Sequence, residues 1–409
     1  MTLRQIAPTV IEDLAVGRLL GGLGPPLAPF AVGTEAFGAA LSGRLLADPL
    51  VRRYPDLASL AFWLRPASTR RLRRHFETLS GDGVVRVPRG MAFHVAPGNV
   101  ETLFVYSWWL SLLCGNATIV RISSQSGERT ARLLDLIAAL LAEPRFADLR
   151  AATAIIATAR DDESGAALSL AADLRVVWGG DATVAAFRAM PLRPDATELV
   201  FPDRRSMAAM AGAAYLDLDA AGRDRLVERF FNDAYWFDQK ACSSPLMLAW
   251  IGSPKASARA SADFWPRLAA KVAAMGYDLP VGARLAKLTE AARLVLDGAA
   301  QSVARFGEAV LVASGPALSP RPASCGGGLF QEVRIEAIGQ LADLVDRRLQ
   351  TIAHFGVTKA ELDGLARRLN GRGGERLVPV GDALAFSHIW DGHDLLAAMS
   401  RAITVQPEP

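Results

Sequence analysis

The sequence predicts an α/β protein with parallel sheets in more than one domain. From residue 83 onward, short apolar stretches of strand length alternate with longer amphipathic stretches of helix length. The short stretches are apolar at nearly every position, as strands are when helices cover both faces of a parallel sheet. The chain has 409 residues, so two or three domains are expected rather than one small core.

Residues 1–80 are predicted to be mostly helical, and the alternation of strands and helices follows them. The predicted elements after residue 80 are, in chain order, the strands VVRVPRG and MAFHVAP, the helix VETLFVYSWWLSLLCG, the strand NATIVRIS, the helix SGERTARLLDLIAALLAE, the strand TAIIAT, the helix DDESGAALSLAA, the strand LRVVWGG and the helix DATVAAFRAM. This order is typical of a sheet that carries helices on both faces.

A second region opens near residue 196. Its predicted elements are the strand TELVF, the helix LDAAGRDRLVERFFNDAYWF, the loop around Cys242, the strand PLMLAWIG and further elements through VTKAELDGLARRLN. The tail is predicted to hold a strand, a helix that starts near Gly392 and a last strand. The predicted segments are therefore 1–80, 81–195, 196–375 and 376–409.

The composition argues against several classes of protein. Lys and Arg number 45 and Asp and Glu 42, so the net charge is only +3 and no nucleic-acid partner is indicated. The apolar stretch 102–120 is interrupted by two serines, a Gly-Asn pair and a threonine, so no membrane span is predicted. Glu12 and Asp13 interrupt the N-terminal apolar stretch, which argues against a secretory signal.

The three cysteines, Cys114, Cys242 and Cys325, lie far apart, without a CxxC pair or a spacing suited to zinc. A disulfide framework is therefore not expected, and a cytoplasmic location with reduced thiols is predicted. Cys242 stands between an amide, a lysine and two serines in WFDQKACSSPLM. From these residues alone it is either a small buried apolar residue or a nucleophile, whereas Cys114 and Cys325 are expected to be structural.

Two loops at predicted carboxyl ends of strands carry polar side chains, and open α/β sheets bind ligands at such ends. The loop HVAPGNVET presents Asn99 beside the N–H groups of a helix start, where its amide either donates to an oxyanion or caps the helix. The strand in NATIVRISSQS ends in Arg121, Ser123 and Ser124. A guanidinium and two hydroxyls without an acid suit a phosphate, and Ser124 is alternatively a helix cap.

A third loop, VVWGGDATV, places Gly179 and Gly180 between a strand and a helix. Glycines permit close approach of the backbone, and the helix start offers N–H groups to a pyrophosphate. The sequence is not the G-x-G-x-x-G fingerprint of dinucleotide-binding proteins. By itself this turn is therefore weak evidence for a cofactor.

Several charged residues have structural and functional interpretations. The helix TRRLRRHF (69–76) carries arginines that either form a solvated face or dock an acidic carrier or coenzyme phosphates. His388 and His393 flank the sequence IWDG and are predicted to stabilise the start of the last helix. His94 is expected to be a strand histidine with satisfied hydrogen bonds.

The stretches HVAPGNV, GNATIVRISSQS, VWGGDATV and FDQKACSSP, taken in this order, resemble the aldehyde dehydrogenase superfamily. They are most similar to its acyl-CoA reductase branch, which includes the fatty-acid reductase of bacterial bioluminescence, and FPDRRSMAAM and WDGHDLLAAMSRAITV are also similar to that branch. The resemblance spans residues 80–405. It implies an aldehyde-dehydrogenase-like fold with two Rossmann-type parallel-sheet domains, one that binds the cofactor (81–195) and one that is catalytic (196–375). The helical N-terminal segment would pack on the cofactor domain, and residues 376–409 would be a C-terminal return segment.

The resemblance also implies roles for single residues. Cys242 matches the nucleophile, and Asn99 matches the asparagine that holds the thioester oxyanion together with the N–H of the cysteine. Arg121 matches a position near the adenosine ribose, with Ser123 beside it. Ser124 stands near the position where NAD-preferring members carry a glutamate, so NADPH is favoured over NADH.

Gly179 and Gly180 match the turn beside the pyrophosphate, and Phe330 matches an aromatic residue near the nicotinamide ribose. The sequence departs from the superfamily in the segment LVFPDRRS (199–206), where no general-base glutamate falls in register. Only a shifted alignment would place Glu198 there. The hairpin before MAFHV and the C-terminal tail are short, which leaves the oligomeric state open, with a dimer as one option.

The predicted function is therefore NADPH-dependent reduction of an acyl thioester, carried on coenzyme A or acyl carrier protein, to an aldehyde. The reaction would pass through a covalent thioester on Cys242. A partner enzyme that supplies the acyl group or uses the aldehyde fits this chemistry. The alternatives are an NAD(P)-dependent aldehyde dehydrogenase that forms acids and a non-catalytic protein that binds an acyl carrier.

Overall fold

The structure is a computed structural model and describes residues 2–81, 83–98, 102–123, 127–158, 163–318, 325–406 and 408. The chain divides into two compact units. Unit 1 contains Met1–Pro202 and Phe386–Pro409, and unit 2 contains Asp203–Ala385. Unit 2 is thus inserted between two chain segments that together form unit 1.

The first segment of unit 1 alternates strands and helices. Its strands are β1 (Thr2–Ala7), β2 (Ile11–Ala15), β3 (Val84–Pro88), β4 (Met91–Val95), β5 (Ala117–Ile122), β6 (Thr153–Ala157), β7 (Leu174–Trp178) and β8 (Thr197–Phe201). Its helices are α1 (Val16–Gly22), α2 (Val32–Ala47), α3 (Pro55–Trp63), α4 (Pro66–Thr78), α5 (Leu103–Leu113), α6 (Glu128–Leu141), α7 (Ala147–Ala151), α8 (Ser164–Ala171) and α9 (Asp181–Arg188).

Seven of these strands form one sheet in the order β2-β1-β6-β5-β4-β7-β8. Strands β4 to β8 run parallel, and β1 is antiparallel to both β6 and β2. The chain runs from β4 outward through β5 and β6, and then crosses to the other side of β4 for β7 and β8. The strand order therefore reverses between β4 and β7, which is the point where open α/β sheets bind ligands.

Helix α5 is the centre of the unit 1 core. All of its residues are buried, which its sequence allows because it is apolar on every side. Helix α2 contacts α5, and a Cβ atom on Gly38 would lie 2.3 Å from the Trp109 ring. The absence of a side chain at Gly38 is therefore what lets the two helices meet.

Unit 2 is a second α/β unit. Its strands are β9 (Arg205–Ala211), β10 (Pro245–Ile251), β11 (Ser302–Phe306), β12 (Val310–Ser314), β13 (Leu329–Ile335), β14 (Leu349–Phe355) and β15 (Arg376–Pro379). Its helices are α10 (Gly212–Leu216), α11 (Ala220–Tyr235), α12 (Pro254–Ala274), α13 (Val281–Leu296), α14 (Leu341–Leu344) and α15 (Lys359–Leu369). The sheet has the order β11-β12-β13-β10-β9-β14-β15, and only β11 is antiparallel to its neighbour.

Polar side chains fix the starts of three helices in unit 2. Asp219 accepts a hydrogen bond from the Gly222 N–H at the start of α11. Ser253 caps α12, which begins at Pro254, and Thr358 forms a capping box with Glu361 at the start of α15. Each such cap contributes about 1 kcal/mol to helix stability.

The return segment brings the chain back into unit 1. It contains β16 (Ile389–Trp390), β17 (His393–Asp394), α16 (Leu395–Ala398) and β18 (Ser400–Thr404). Strands β16 and β17 form a short hairpin, and β18 pairs antiparallel with β3, with Ser400 opposite Pro88. Strand β3 therefore pairs with β18 and lies outside the seven-stranded sheet that contains β4.

The two mainly parallel seven-stranded sheets confirm the predicted α/β fold. Two details differ from the sequence prediction. Strands β1 and β2 lie within the segment 1–80, which was expected to be mostly helical. In β1 the side chains alternate between exposed and buried positions, with Leu3 and Ala7 buried, which is the pattern of a strand. Strand β8, expected to open the second region, pairs with β7 and belongs to unit 1. Among the described residues, no helix has both the length and the apolarity to cross a membrane.

Candidate active site

Cys242 lies in the loop that joins α11 to β10 in unit 2. The loop follows a helix whose inner face is strongly apolar and includes the buried Phe230, Phe231 and Tyr235. Cys242 is partly buried and forms no disulfide. The structure therefore holds this cysteine at the amino-terminal end of the parallel strand β10, in reach of solvent.

Asp238 and Gln239, which precede the cysteine in the loop, anchor the loop to a glycine turn. The buried Gln239 amide donates to the carbonyl oxygens of Pro245 and Leu329 at 3.2 and 3.1 Å, and accepts from the Gly328 N–H at 2.8 Å. Asp238 accepts from the Gly327 N–H at 3.0 Å. Asp238 and Gln239 both have positive φ, 54° and 57°, a conformation that costs free energy outside glycine. Their hydrogen bonds offset this cost and fix the path of the chain into Cys242.

The Cys242 sulfur has a polar partner from a distant strand. The Nε2 group of Gln350, at the start of β14, donates to Sγ at 3.3 Å, and the Gln350 side chain is fully buried. The Cys242 carbonyl oxygen accepts from the Ser206 hydroxyl at 2.7 Å, and that hydroxyl oxygen accepts from the Thr351 N–H at 3.1 Å. A donor aimed at sulfur stabilises a thiolate more than a thiol.

Lys240 lies close to the cysteine in sequence, and its charge is shared with a carboxylate. The Lys240 ammonium lies 2.8 Å from Asp238 Oδ2, and 56% of its side chain is exposed. An exposed pair of this kind contributes little electrostatic potential. Gln350 is therefore a better supported source of thiolate stabilisation than Lys240.

The other two cysteines sit in environments that disfavour the thiolate. Burial raises the pKa of the fully buried Cys114 well above its ordinary value. Burial, together with the Glu290 carboxylate, raises the pKa of Cys325 to about 11. Since the thiolate is the nucleophile, these surroundings disfavour nucleophilic attack by Cys114 and Cys325.

Unit 1 collects most of the predicted cofactor residues at one edge of its sheet. Arg121 is near the end of β5 and Ser123 follows it, while Gly179 and Gly180 follow β7. Because β5 and β7 lie on either side of β4, these four residues stand at the carboxyl ends of the two strands that flank β4, where the strand order reverses. Asn99 and Ser124 lie outside the described residues.

The Arg121 side chain already has protein contacts. Its Nε group donates to the Thr158 hydroxyl, and its guanidinium carbon lies 5.7 Å from the centre of the Phe187 ring. Ser123 is exposed. Arg121 is thus held against unit 1 by a hydrogen bond and by a cation–π contact.

The glycine turn precedes α9, with Gly180 as its N-cap residue. A Cβ atom at Gly179 would lie 2.9 Å from the Thr183 side chain, so glycine is needed there for helix packing. Asp181 occupies the first turn of α9. Its carboxylate favours the helix but opposes an anion placed close to that turn.

His94, in β4, is a buried neutral side chain. Its Nδ1 atom lies 2.7 Å from the Ser107 hydroxyl oxygen, which also accepts from the Trp178 indole N–H at 2.9 Å. Burial lowers the pKa of His94 to about 3. His94 therefore stays uncharged at any working pH and supports the strand, although its Nε2 atom has no partner among the described residues.

The expectation for Phe330 needs correction. Phe330 lies in β13 and is fully buried, with its ring centre 5.1 Å from that of Trp265 and 5.5 Å from that of Phe230. A side chain enclosed in the unit 2 core cannot touch a cofactor ribose in this conformation. Phe330 is a core residue.

Glu198, the carboxylate that a shifted alignment could have made a general base, is engaged elsewhere. It lies in β8 of unit 1 and pairs with the buried Arg175 at 2.5 Å and with Arg188 at 3.2 Å. Both of its carboxylate oxygens are engaged, Oε1 by Arg175 and Oε2 by Arg188. Glu198 therefore acts as a structural partner of Arg175.

Sequence reasoning missed Gln350, Gln239 and Ser206. Gln350 lies 108 residues from Cys242 along the chain, and no local pattern links the two. A partial signal exists, because a glutamine that opens the apolar strand LQTIAHF is a polar group that must be satisfied in the core.

A family model described as acyl-CoA reductase (LuxC) matches residues 72–297 of this chain. Solved structures with a similar fold include the NAD-dependent aldehyde dehydrogenase of Sinorhizobium meliloti, with a TM-score of 0.65, 14% identity, and coverage of 93% of this chain and 84% of that chain. Aldehyde dehydrogenase 21 of Physcomitrella patens, in complex with the reaction product succinate, has a TM-score of 0.65 and 11% identity over 91% of this chain and 85% of that chain.

PnpE in complex with nicotinamide adenine dinucleotide has a TM-score of 0.60 and 11% identity, with coverage of 100% of this chain and 95% of that chain; PnpE is a protein of Pseudomonas sp. WBC-3. A comparison with curated protein sequences gave no match. At these identities the solved structures establish the fold, and they agree with the aldehyde-dehydrogenase-like architecture expected from the sequence.

Proposed function

We propose that this protein, which belongs to the acyl-CoA reductase (LuxC) family, reduces an acyl thioester to an aldehyde through Cys242. Its family and its fold together make it an oxidoreductase of acyl or aldehyde groups. The thioester is carried on coenzyme A or on acyl carrier protein. The observation that carries the proposal is the contact of the Gln350 amide with the partly buried Cys242 sulfur. That donor favours the thiolate at Cys242, whereas the surroundings of Cys114 and Cys325 raise their pKa values.

In the first step, the Cys242 thiolate attacks the carbonyl carbon of the thioester and a new carbon–sulfur bond forms. The carbonyl oxygen becomes an oxyanion, for which Asn99 and the Cys242 N–H are the proposed donors. Loss of one such donor costs about 3–4 kcal/mol of barrier. Collapse of the oxyanion breaks the original carbon–sulfur bond and releases the carrier thiolate, which leaves the acyl group on Cys242.

A nicotinamide cofactor is supported by the residues at the carboxyl edge of the unit 1 sheet. Arg121 and Ser123 present a cation and a hydroxyl, and Gly179 and Gly180 offer a close approach to the N–H groups that open α9. No carboxylate stands at 121–126 to repel a 2′-phosphate, so NADPH is favoured over NADH. When bound, NADPH supplies the hydride that reduces the acyl carbon.

After reduction, Cys242 holds a thiohemiacetal. Its oxygen is the alkoxide that hydride addition leaves; the carbonyl re-forms from this alkoxide as the carbon–sulfur bond breaks, which releases the aldehyde and the Cys242 thiolate. The Gln350 N–H then faces the same thiolate with which the cycle began. Because Glu198 is held by Arg175 and Arg188, it is unsuited to activate water, so hydrolysis to an acid is not favoured.

The test is NADPH oxidation with a panel of acyl-CoA substrates, for the wild type, Cys242→Ala and the matched control Cys325→Ala. We expect thioester-dependent oxidation in the wild type and in Cys325→Ala, and none in Cys242→Ala. Acyl carrier protein thioesters are the second substrate class. Formation of acid from an aldehyde and NAD(P)⁺, with no thioester reduction, would replace the proposal with the oxidising activity, and silence in both assays would leave the carrier-binding alternative.

A further inference from the structure

In unit 1, two histidines and an aspartate from separate parts of the chain meet at one place. His75 lies in the last turn of α4, and His388 and Asp394 lie on either side of the β16–β17 turn. The His75 Nε2 atom lies 2.6 Å from Asp394 Oδ2, and the centres of the His75 and His388 rings lie 4.2 Å apart. One possible ligand atom from each residue lies within 4.8 Å of the other two.

The Asp394 carboxylate is oriented by the helix that follows it. Its Oδ1 atom accepts from the N–H groups of Leu396 and Ala397, each at 3.1 Å. The Leu395 N–H donates to the His388 carbonyl oxygen at 2.8 Å, which fixes the backbone of His388 next to Asp394. Since Oδ1 is occupied by the helix cap, Oδ2 is the oxygen that faces the imidazoles.

We propose that His75, His388 and Asp394 bind one divalent transition-metal ion of the zinc type, with solvent in a fourth position. Two imidazole nitrogens and a carboxylate oxygen are donors that such ions accept, whereas Mg²⁺ and Ca²⁺ require mainly oxygen donors. The helix-capped oxygen of Asp394 supplies the outer support that orients a metal ligand. His75 and Asp394 keep 31% and 23% of their side chains exposed, which gives an ion and a water access to the donors.

The present arrangement is close to the geometry of such a site. Bonds of about 2.0–2.2 Å to a tetrahedral ion place the donor atoms roughly 3.3 Å apart. The 2.6 Å distance between His75 Nε2 and Asp394 Oδ2 would increase slightly, and the largest distance among the three ligand atoms, which is at most 4.8 Å, would decrease. The ion takes the place of the direct hydrogen bond between His75 and Asp394.

The charges around the cluster act in both directions. The Asp394 carboxylate, which lies 2.6 Å from His75 Nε2, attracts a cation. The guanidinium of Arg71, whose charge reaches His388, opposes one and limits the affinity. A bound ion would tie α4 to the return segment, and an ion that binds only the folded protein raises its stability.

The experiment uses the full-length protein after removal of metals with a chelator. Co²⁺ is titrated as a spectroscopic probe and Zn²⁺ by calorimetry, into the wild type and the variants His75→Ala, His388→Ala and Asp394→Asn. Asparagine also caps helices well, so Asp394→Asn removes the metal-binding charge while it keeps the start of α16. His393→Ala is the matched control, because His393 is the neighbouring histidine outside the cluster.

We expect the wild type and His393→Ala to bind one Co²⁺ per chain, with visible absorption of a nitrogen- and oxygen-ligated ion and a Zn²⁺-dependent rise in Tm. The three cluster variants should lose at least tenfold in affinity. Equal affinity in His75→Ala and the wild type, or no binding to the wild type at millimolar metal, would overturn the proposal. The site lies apart from Cys242 in the sequence and the test does not use thioester reduction.

Discussion

Replacement of Gln350 by leucine tests the chemistry assigned to Cys242. The substitution removes the N–H that lies 3.3 Å from Sγ and keeps a side chain of similar length in a fully buried position. A hydrogen bond to a charged group contributes about 1.5–3 kcal/mol, which corresponds to roughly a 10- to 150-fold change in an equilibrium. Because sulfur is a weak acceptor and a more basic thiolate is more nucleophilic, the lower end of this range is expected.

The assay is the rate of alkylation of Cys242 by iodoacetamide at pH 7, measured by mass spectrometry of the Cys242 peptide. We expect Gln350→Leu to slow alkylation about tenfold and to lower kcat/KM for thioester reduction in parallel. Cys114 and Cys325 serve as internal references, since their raised pKa values make them slow to react.

The control is Gln331→Leu. Gln331 is another buried glutamine of unit 2, and it donates to the carbonyl oxygens of Ala299 and Ala317. Its loss should lower stability without changing the alkylation rate of Cys242. If Gln350→Leu alkylates as fast as the wild type while it remains folded by circular dichroism, the thiolate does not depend on Gln350 and the reasoning fails.

Three further predictions concern a buried acid, an ion pair and the cofactor. Burial raises the pKa of Asp233 to about 7, so the folded protein binds the Asp233 proton more tightly than the unfolded chain does. The free energy of unfolding in urea should therefore fall by up to about 4 kcal/mol as the pH rises from 4 to 7. This dependence on pH should vanish in Asp233→Asn. Glu198→Gln leaves the buried Arg175 without its carboxylate and should cost about 3–5 kcal/mol in unfolding free energy, while thioester reduction by the folded protein is unchanged. Arg121→Ala should raise KM for NADPH at least tenfold and leave KM for NADH nearly unchanged, because only NADPH carries the 2′-phosphate.

Each of these predictions has a contrary outcome. An unaltered pH slope in Asp233→Asn would assign the slope to other groups. Loss of activity in folded Glu198→Gln would restore Glu198 as a catalytic carboxylate. Equal losses with both cofactors in Arg121→Ala would show that Arg121 does not read the 2′-phosphate.

Much of the fold could be predicted from the sequence because burial leaves a strong pattern there. Strands β4 and β7 are short apolar runs that are each followed by a helix, and both were predicted close to their observed positions. Strand β1 was missed because it lies toward the edge of the sheet and alternates inward and outward positions over only six residues. A polar residue such as Gln5 within it weakens the apolar signal.

The residues of the candidate site could likewise be predicted only in part. The loops around Cys242 and Gly179 are local motifs, so their places between a helix and a strand could be predicted. Gln350 could not, because its contact with the sulfur depends on how β14 lies relative to the cysteine loop. Phe330 was assigned wrongly because a local match identifies an aromatic residue but does not say whether its ring faces the core or a ligand.

The division of unit 1 between two chain segments has a consequence for biosynthesis. Residues 203–385 form a continuous unit and can fold as soon as the ribosome has released them. Strand β3 is made much earlier, but its partner β18 is made only after all of unit 2. The unit that is begun first is thus completed last, and until then the nascent chain carries an unpaired β3 edge that chaperones would be expected to shield.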